Sequence, residues 1–401
     1  MTRSVWKDYG RRIEFMLGKI TSCERWAIYQ AKSMRTLSMN NYFSGEDGLR
    51  NYAKPAFEKM IPLVELPSSL NPFLKKYGIH INAKLMNTLP LMNVKSLPAW
   101  KMLEDADLNQ VDSVVESSSG NTVASIGLYK DFFGIDRVKA IVSNDVTKDK
   151  LAFLRVAGLD IEFVESPICP DPRDPDGPIN IAKRQGENDR WLNLGQYDNP
   201  SNPKAHQEIT GPQIEAQLGG KVDFFSAGLG TTGTFTGTAQ YLKSKIPSLI
   251  TVGAVRVPNN AVPGVRTINQ LAEIDFKWDE LIDKGDIFKI STKESYYHSL
   301  MMIRKGLLVG PSAGFSLAAL IKKLEKLEKT GEIENYRGAQ AVFICPDSPL
   351  LYIQDYEEVL GSEYFGEMIN MPEAQVEPDE DYTIEEITPE QLLASINGGD
   401  E

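Results

Sequence analysis

The feature that most constrains the fold is an alternation of short apolar or β-branched runs with helical stretches, which begins near residue 61. Apolar residues recur at helical spacing between the runs, for example in 122–134, 147–158 and 316–329. Strand and helix in alternation predict parallel βαβ units, so we expect a layered α/β architecture with mostly parallel sheets. The predicted strands are HINAKLM (80–86), SVVES (113–117), KAIVS (139–143), DIEFVE (160–165), KVDFFSAG (221–228), ITVGAVRV (250–257) and QAVFICPD (340–347).

The net charge of −12 over 401 residues is concentrated at one end of the chain. Residues 371–401 hold ten acidic side chains and no Lys or Arg, so the rest is nearly neutral. This distribution excludes a general binder of nucleic acid or of anionic membranes, because both need a basic surface. We predict that 371–401 is a flexible acidic tail, with a lid or partner-docking segment as the alternative. Residues 1–60 are predicted to form a helical extension without a chemical motif.

Cysteine and histidine usage gives no sign of a disulfide framework or a metal site. The three cysteines are widely spaced and form no CxxC pair, so we expect a reducing compartment. The first twenty residues lack the apolar core of a secretory signal, and no apolar run approaches the about 18 residues of a membrane span. We therefore expect a cytoplasmic protein with no metal. The residues concerned are Cys23, Cys169, Cys345, His80, His206 and His298.

A glycine- and threonine-rich stretch, SAGLGTTGTFTG, follows one predicted strand. Glycines let the backbone approach a ligand closely, and threonine hydroxyls with the free N–H groups of a helix start can surround an anion. The stretch lacks the GK[ST] ending of a nucleoside-triphosphate loop. A plain strand–helix turn and a dinucleotide site are alternatives, but the threonines favour a single phosphate monoester. The candidate ligands are Gly230, Thr231, Thr232, Gly233 and Thr234.

A second polar segment, ESSSGNT (116–122), directly follows another predicted strand. Hydroxyls and N–H groups at a helix start suit a carboxylate ligand, while an ordinary N-terminal capping cluster is the alternative. The candidate residues are Ser118, Ser119, Gly120, Asn121 and Thr122.

Lys95 and Ser312 each stand at the start of a predicted helix. Lys95 lies in the apolar segment MNVKSLPAW, with Pro98 in the first helical turn. A desolvated lysine has a lowered pKa and can act as an amine nucleophile or base, whereas a surface lysine with a buried stem is the alternative. Ser312, in GPSAG, either allows close packing or aims a neutral hydroxyl at a heteroaromatic nitrogen.

Taken in order and spacing, these motifs resemble the fold-type II pyridoxal-phosphate (PLP) enzymes, whose architecture is that of tryptophan synthase β. The resemblance is to the cysteine synthase and cystathionine β-synthase group and covers roughly residues 58 to 355. Its most specific part is GQYDNPSNPKAHQEITGPQI (195–214), and ICPDS (344–348) resembles a late family signature. It implies PLP as the cofactor, two three-layer αβα domains and a homodimer.

The resemblance also implies roles for individual residues. Lys95 would be the Schiff-base lysine, Asn121 would face the ring hydroxyl, and Ser312 would meet the pyridine nitrogen. The segment Gly230–Thr234 would hold the cofactor phosphate. The carboxylate of an amino-acid substrate would bind at Ser118, Ser119, Gly120, Thr122 and Gln196.

The implied domains divide the chain unevenly. A small mobile domain, 93–198, would carry Lys95 and the substrate loop, and a large cofactor-binding domain would combine 55–92 with 199–365. We expect the small domain to close on the substrate.

Three departures from the family pattern bear on the substrate. Ser96-Leu97 replaces the usual Asp-Arg after the lysine, and Thr232 replaces a glycine in the phosphate loop. The loop 259–273 resembles the P-G-[IV]-R segment of O-phosphoserine sulfhydrylases. Arg266 would then offer a planar fork to a phosphate leaving group, with a surface arginine as the alternative.

We carry three functional hypotheses from the sequence. The first is β-replacement on an activated serine, O-phosphoserine or O-acetylserine, by sulfide or another thiol to give cysteine or a related amino acid. The second keeps the cofactor and changes the nucleophile, giving cystathionine, diaminopropionate or a precursor in secondary metabolism. The third is an inactive homologue with a regulatory or scaffold role.

Overall fold

The computed structural model describes residues 41–144, 146–166, 170–262, 264–272 and 274–367. Ten strands in these residues form two sheets. The strands are β1 Leu63–Glu65, β2 His80–Leu85, β3 Ser113–Ser117, β4 Arg137–Ser143, β5 Asp160–Val164, β6 Trp191–Asn193, β7 Phe224–Gly228, β8 Ile250–Arg256, β9 Ile287–Ile290 and β10 Gln340–Cys345.

The α-helices of the described residues separate most of these strands. They are α1 Gly48–Ala53, α2 Leu74–Tyr77, α3 Ser96–Asp105, α4 Asn121–Tyr129, α5 Lys148–Val156, α6 Pro178–Gly186, α7 Ser201–Ala205, α8 Gly211–Gln217, α9 Gly233–Lys245, α10 Thr292–Ile303, α11 Pro311–Thr330 and α12 Asp355–Leu360.

The strand pairing is almost entirely parallel. The larger sheet has the order β1-β2-β10-β7-β8-β9, and only its edge strand β1 runs antiparallel to its neighbour. The smaller sheet, in the order β5-β4-β3-β6, is parallel throughout. The predicted α/β architecture with mostly parallel sheets is therefore confirmed. Each predicted strand run overlaps an observed strand, and β4 begins two residues before its predicted run. Strands β1, β6 and β9 were not predicted, because three or four residues carry little periodicity.

Both faces of each sheet are covered by apolar side chains. In β10, Val342 and Ile344 belong to one hydrophobic cluster, while Ala341, Phe343 and Cys345 belong to another. Alternate residues of a strand point to opposite faces, so these two clusters lie on the two sides of the larger sheet. The smaller sheet shows the same alternation, with Val114 in one cluster and Val115 in another. Two three-layer αβα assemblies result.

Helix α3 contributes side chains to the cores of both sheets. Val94, just before the helix, and Leu97 in its first turn pack in the cluster that contains Ile344 of the larger sheet. Trp100 and Leu103 pack in the cluster of the smaller sheet. The position of α3 is therefore fixed from both sides.

The terminal predictions fall mostly outside the described residues. Of the extension predicted at 1–60, the structure describes residues 41–60, which contain helix α1. The acidic tail predicted at 371–401 lies outside them entirely. The described residues up to Leu360 form one unit, so the division into a small and a large domain stays a prediction. Within the described parts of the chain, no helix has the length and apolar character to cross a membrane.

Gly237 tests how tightly helix α9 packs beside α7. A Cβ added there would lie 1.9 Å from the backbone oxygen of Pro203, a contact that no rotamer change can relieve. We expect Gly237→Ala to lower the free energy of unfolding by about 1–3 kcal/mol in urea titrations. Gly285→Ala is the control, since its Cβ would meet only the end of the Lys326 side chain, at 3.2 Å. Equal stability of the two variants would contradict the packing argument.

Candidate active site

A cavity of about 240 Å³ lies at the carboxyl ends of strands from both sheets. Its wall includes the last residues of β3, β4, β7 and β8 and the segment after β10. This is the edge of a parallel sheet where α/β proteins bind ligands. Of the predicted site residues, Gly233 is the one outside the cavity wall. The predicted residues on the wall are Lys95, Ser118, Ser119, Gly120, Asn121, Thr122, Gln196, Gly230, Thr231, Thr232, Thr234, Arg266 and Ser312.

Lys95 is the N-terminal capping residue of α3 and borders the cavity. The backbone N–H of Val94 donates to the carbonyl of Pro346 at 2.7 Å, and Asn93 forms an isolated bridge with Asp347. These contacts hold Lys95 beside the end of β10. Burial lowers the pKa of Lys95 to about 8, and the carboxylate of Asp347 opposes part of this shift. A substantial fraction of the amine is therefore neutral near pH 8.

Two glycines of the predicted phosphate loop are required by close backbone contacts. A Cβ added at Gly230 would lie 2.0 Å from the carbonyl oxygen of Gly264, and one at Gly233 would lie 2.0 Å from Oδ1 of Asn202. Neither position has room for a side chain. The loop therefore packs directly on its neighbours and leads into the first turn of α9, where the helix dipole favours an anion.

Two threonines of this loop are hydrogen-bonded to polar side chains of neighbouring segments. Asn202 donates to Oγ1 of Thr231 at 3.1 Å, and His206 is hydrogen-bonded through Nε2 to Oγ1 of Thr234 at 3.2 Å. Burial, together with the positive charge of Lys95, lowers the pKa of His206 to about 3. His206 is therefore neutral at physiological pH and orients Thr234 without adding charge.

Thr232 adopts a backbone conformation that suits glycine. Its φ of 66° lies in the left-handed region, which β-branched residues rarely adopt. The side chain is buried, and its hydroxyl accepts from Thr236 at 3.4 Å. A strained residue of this kind persists where the surrounding structure fixes it, often at a binding site.

The two segments assigned to substrate binding touch each other directly. Oγ1 of Thr122 donates to Oε1 of Gln196 at 2.6 Å, and Nε2 of Gln196 donates to the carbonyl of Ser117 at 2.8 Å. The end of β3 and the segment 195–214 therefore form one polar wall. The proton of the Thr122 hydroxyl is directed at Gln196, so the serine hydroxyls and backbone N–H groups are the donors that suit a carboxylate ligand.

Sequence analysis missed Glu116, which supports this wall. Its buried carboxyl group accepts from the backbone N–H groups of Ser117, at 3.1 Å, and Gly195, at 3.0 Å. Burial raises the pKa of Glu116 to about 8, although these hydrogen bonds oppose the shift. Its position directly before the serines was the available signal.

Asp347 is the second carboxyl group that sequence analysis missed. Its Oδ2 accepts from Nδ2 of Asn121 and from the hydroxyl of Tyr352, both at 2.8 Å. Burial raises its pKa, while these contacts and the positive charges of Lys150 and Lys95 oppose the shift. The ICPDS segment was recognised, but it assigned no role to this side chain.

Arg266 is buried and borders the cavity. Its Nη1 donates to the carbonyl of Pro170 at 2.9 Å, and the guanidinium lies 4.9 Å from the ring centre of Tyr197. Two further cations that were not predicted, Lys150 and Arg256, also border the cavity. The surface-arginine alternative does not agree with this burial.

A family model described as pyridoxal-phosphate dependent enzyme matches residues 56–347, which include the whole cavity-lining set except Tyr352 and Asp355. The chain belongs to this family. It is therefore a PLP-dependent enzyme of fold type II.

Individual relatives are similar over most of the described chain. Cystathionine beta-synthase of Rattus norvegicus is 29% identical over an alignment of 281 residues, which covers 66% of this chain and 48% of that protein. Cysteine synthase B of Pseudomonas aeruginosa is 28% identical over 258 residues, 61% of this chain and 81% of that protein. The chain thus spans about half the length of the rat protein.

A solved structure supports the fold. The O-acetylserine dependent cystathionine beta-synthase from Helicobacter pylori superposes with a TM-score of 0.63 at 22% identity, covering 75% of this chain and 97% of that one. At this level of identity the likeness concerns the fold.

The cavity fits PLP by the chemistry of its donors. Lys95 is a half-buried residue, and its amine has a lowered pKa, so it can attack an aldehyde. The loop Gly230–Thr234 offers hydroxyls and a helix start to a phosphate, and Asn121 and Ser312 supply neutral polar groups on the same wall. These residues would hold the cofactor.

The lowered pKa of Lys95 predicts how cofactor attachment depends on pH. An amine attacks an aldehyde only when deprotonated, so the rate at which added PLP attaches to the apoprotein should rise with pH through a midpoint near 8. Borohydride reduction followed by peptide mass spectrometry would place the label on Lys95. A midpoint near 10, or equal labelling of Lys95→Ala, would contradict the assignment.

Thr232 allows a separate test of strain in the phosphate loop. Thr232→Gly should raise the free energy of unfolding of the apoprotein by about 1 kcal/mol, because glycine relieves the positive φ. It should also weaken PLP binding by about tenfold through loss of the hydroxyl. Thr232→Ser keeps the hydroxyl and should retain the affinity. A stable apoprotein with unchanged affinity in Thr232→Gly would show that the hydroxyl does not contact the cofactor.

Proposed function

We propose that this enzyme catalyses β-replacement on an activated serine by sulfide or another thiol, giving cysteine or a related amino acid, with O-phosphoserine as the favoured ester. The observation that carries the proposal is the shared cavity. It brings the amine of Lys95, the paired side chains of Thr122 and Gln196, and the buried guanidinium of Arg266 onto one wall.

The polar wall would anchor the substrate through its carboxylate. Ser118 and Ser119 supply hydroxyls, and Gly120 leaves the backbone open, since a Cβ there would meet no atom within 4 Å. Thr122 and Gln196 are already oriented by their mutual hydrogen bond. Binding at several such groups fixes the Cα–H bond relative to the cavity and removes the entropy cost of orienting it during the reaction.

Lys95 would move the proton. When bound, PLP supplies the electron sink that stabilises negative charge at the substrate Cα. A lysine amine with a pKa near 8 is a competent base at neutral pH, so the neutral amine of Lys95 would take the α-proton of the bound amino acid. Ser312, at the first turn of α11, offers a neutral hydroxyl to the ring, which favours elimination of a β-substituent over transamination.

The charge of the cavity favours an anionic leaving group. Apart from Lys95, which would hold the cofactor, its wall carries the cations Lys150, Arg256 and Arg266 against the carboxyl groups of Asp347 and Asp355. Nη1 of Arg266 donates to the carbonyl of Pro170. The remaining side-chain N–H groups of Arg266 have no hydrogen-bond acceptor among the described residues. A departing phosphate would be stabilised by this fork, whereas acetate needs less charge compensation.

A second nucleophile is supported by the relatives. Cystathionine beta-synthase of the rat matches this chain about as well as the bacterial cysteine synthase does. Homocysteine is therefore the first alternative to sulfide. We also propose that the enzyme acts as a cytoplasmic homodimer and that segment 93–198 closes over the substrate.

A substrate panel tests the reaction class. The holoenzyme would be offered O-phosphoserine or O-acetylserine with sulfide, homocysteine or ammonia, and products would be identified by mass spectrometry. We expect cysteine from O-phosphoserine and sulfide at the highest kcat/KM. Sulfide is the smallest of the sulfur nucleophiles, and phosphate is the leaving group that the cations of the cavity stabilise. No product from any combination, with the cofactor spectrum unchanged by both esters, would overturn the proposed function.

Arg266 tests the choice of ester. Arg266→Ala should lower kcat/KM for O-phosphoserine by about a hundredfold and for O-acetylserine by less than tenfold, because a charged hydrogen bond is lost only with the phosphate. Arg190→Ala is the control, since this exposed arginine pairs with Asp112 and does not border the cavity. Equal loss with both esters would remove the leaving-group role.

A further inference from the structure

Asp347 and Asn121 form a contact between the two sheets at the cavity wall. Asn121 begins α4, after the end of β3, while Asp347 follows β10. They are 226 positions apart in sequence, and Nδ2 of Asn121 donates to Oδ2 of Asp347 at 2.8 Å. The same oxygen accepts from the hydroxyl of Tyr352 at 2.8 Å. Both partners of the contact border the cavity.

This contact determines which end of the Asn121 amide is the donor. A carboxylate only accepts hydrogen bonds, so the amide must turn its nitrogen, and not its oxygen, toward Asp347. The reversed amide would place two oxygens against each other in a buried setting, which is unfavourable. The nitrogen carries a second N–H, and the described residues offer it no hydrogen-bond acceptor. This second N–H remains available for a ligand.

Asp347 is itself held in one orientation. Its Oδ1 is buried and has no hydrogen-bond partner among the described residues. A Cβ added at Gly310 would lie 2.4 Å from Oδ1, so the glycine leaves just enough room for the carboxylate. A buried carboxylate with one unsatisfied oxygen costs stability, and such groups are often retained for function. Packing alone therefore does not account for an acid at this position.

We propose that Asp347 is a positioning residue, which fixes the Asn121 amide so that an N–H faces the ring oxygen of PLP. The inference rests on the proposed function, which requires bound PLP, and on the family resemblance, which assigns the ring oxygen to Asn121. A fixed donor binds the ring oxygen without first having to rotate. Without Asp347, the amide of Asn121 can present its oxygen to the ligand as readily as its nitrogen.

A double-mutant cycle on cofactor affinity tests this. Apoprotein of the wild type, Asp347→Ala, Asn121→Ala and the double variant would be titrated with PLP, and the melting temperature of each apoprotein recorded. We expect each single variant to bind PLP about tenfold more weakly, and the double variant also about tenfold and not a hundredfold. In the wild-type background, Asp347→Ala should change the pH dependence of the bound cofactor's absorbance. The same substitution should change it less when Asn121 has already been replaced by Ala.

Matched variants separate positioning from a general loss of stability. Asp286 is a buried carboxylate paired with Lys323 at 2.6 Å, away from the cavity wall. Asp286→Ala should lower the melting temperature and leave the PLP affinity within twofold. If Asp347→Ala does not fold, Asp347→Asn keeps the shape and replaces it in the same cycle, with a smaller loss of about threefold.

The outcomes distinguish this inference from the proposed function. Additive losses in the cycle, or no loss in either single variant, would overturn the positioning role even if the enzyme turns over a serine ester. A non-additive cycle in a protein that turns over no serine ester would support the positioning role and overturn the proposed reaction.

Discussion

The site depends on the packing of one helix into two hydrophobic cores. Val94 and Leu97 belong to the core of the larger sheet, and Trp100 belongs to that of the smaller one. Because α3 is held from both sides, its first residue cannot shift without disturbing both cores. Lys95 is the cap directly before that residue, so its amine is placed by this packing together with the backbone hydrogen bond from Val94 to Pro346. This arrangement leaves the nitrogen available for chemistry.

The same burial creates the electrostatics of the cavity. It lowers the pKa of Lys95 to about 8 and raises that of Glu116 to about 8, so both groups can change charge near neutral pH. His206 is neutral for the same reason. Each of these groups is costly to bury, and each contacts a segment that faces the cavity. The protein thus gives up some stability to hold polar groups in place before a ligand arrives.

The sequence predicted the local features of the site and missed the contacts between distant segments. Lys95, Thr234 and Ser312 could be found because each lies in a short motif next to a predicted strand or helix start. Asp347 could not be given a role, because its meaning comes from Asn121, which is 226 positions away. Glu116 was missed since its partners are backbone N–H groups. The phosphate role predicted for Gly233 stays a prediction: the residue lies outside the cavity wall, and an added Cβ would meet Asn202.

Arg266 links the two sheets as well as bordering the cavity. Its backbone N–H donates to the carbonyl of Leu229 beside the phosphate loop, whereas its side chain contacts Pro170 and Tyr197. Removing the side chain therefore loosens a contact between segments and also removes a charge. The loosened contact should slow the reaction of any substrate. The lost charge should matter only where negative charge develops on the leaving group. The effect of the charge is therefore isolated only by comparing the loss of kcat/KM for the two esters. Specificity at this position must be measured as the ratio of the two kcat/KM values.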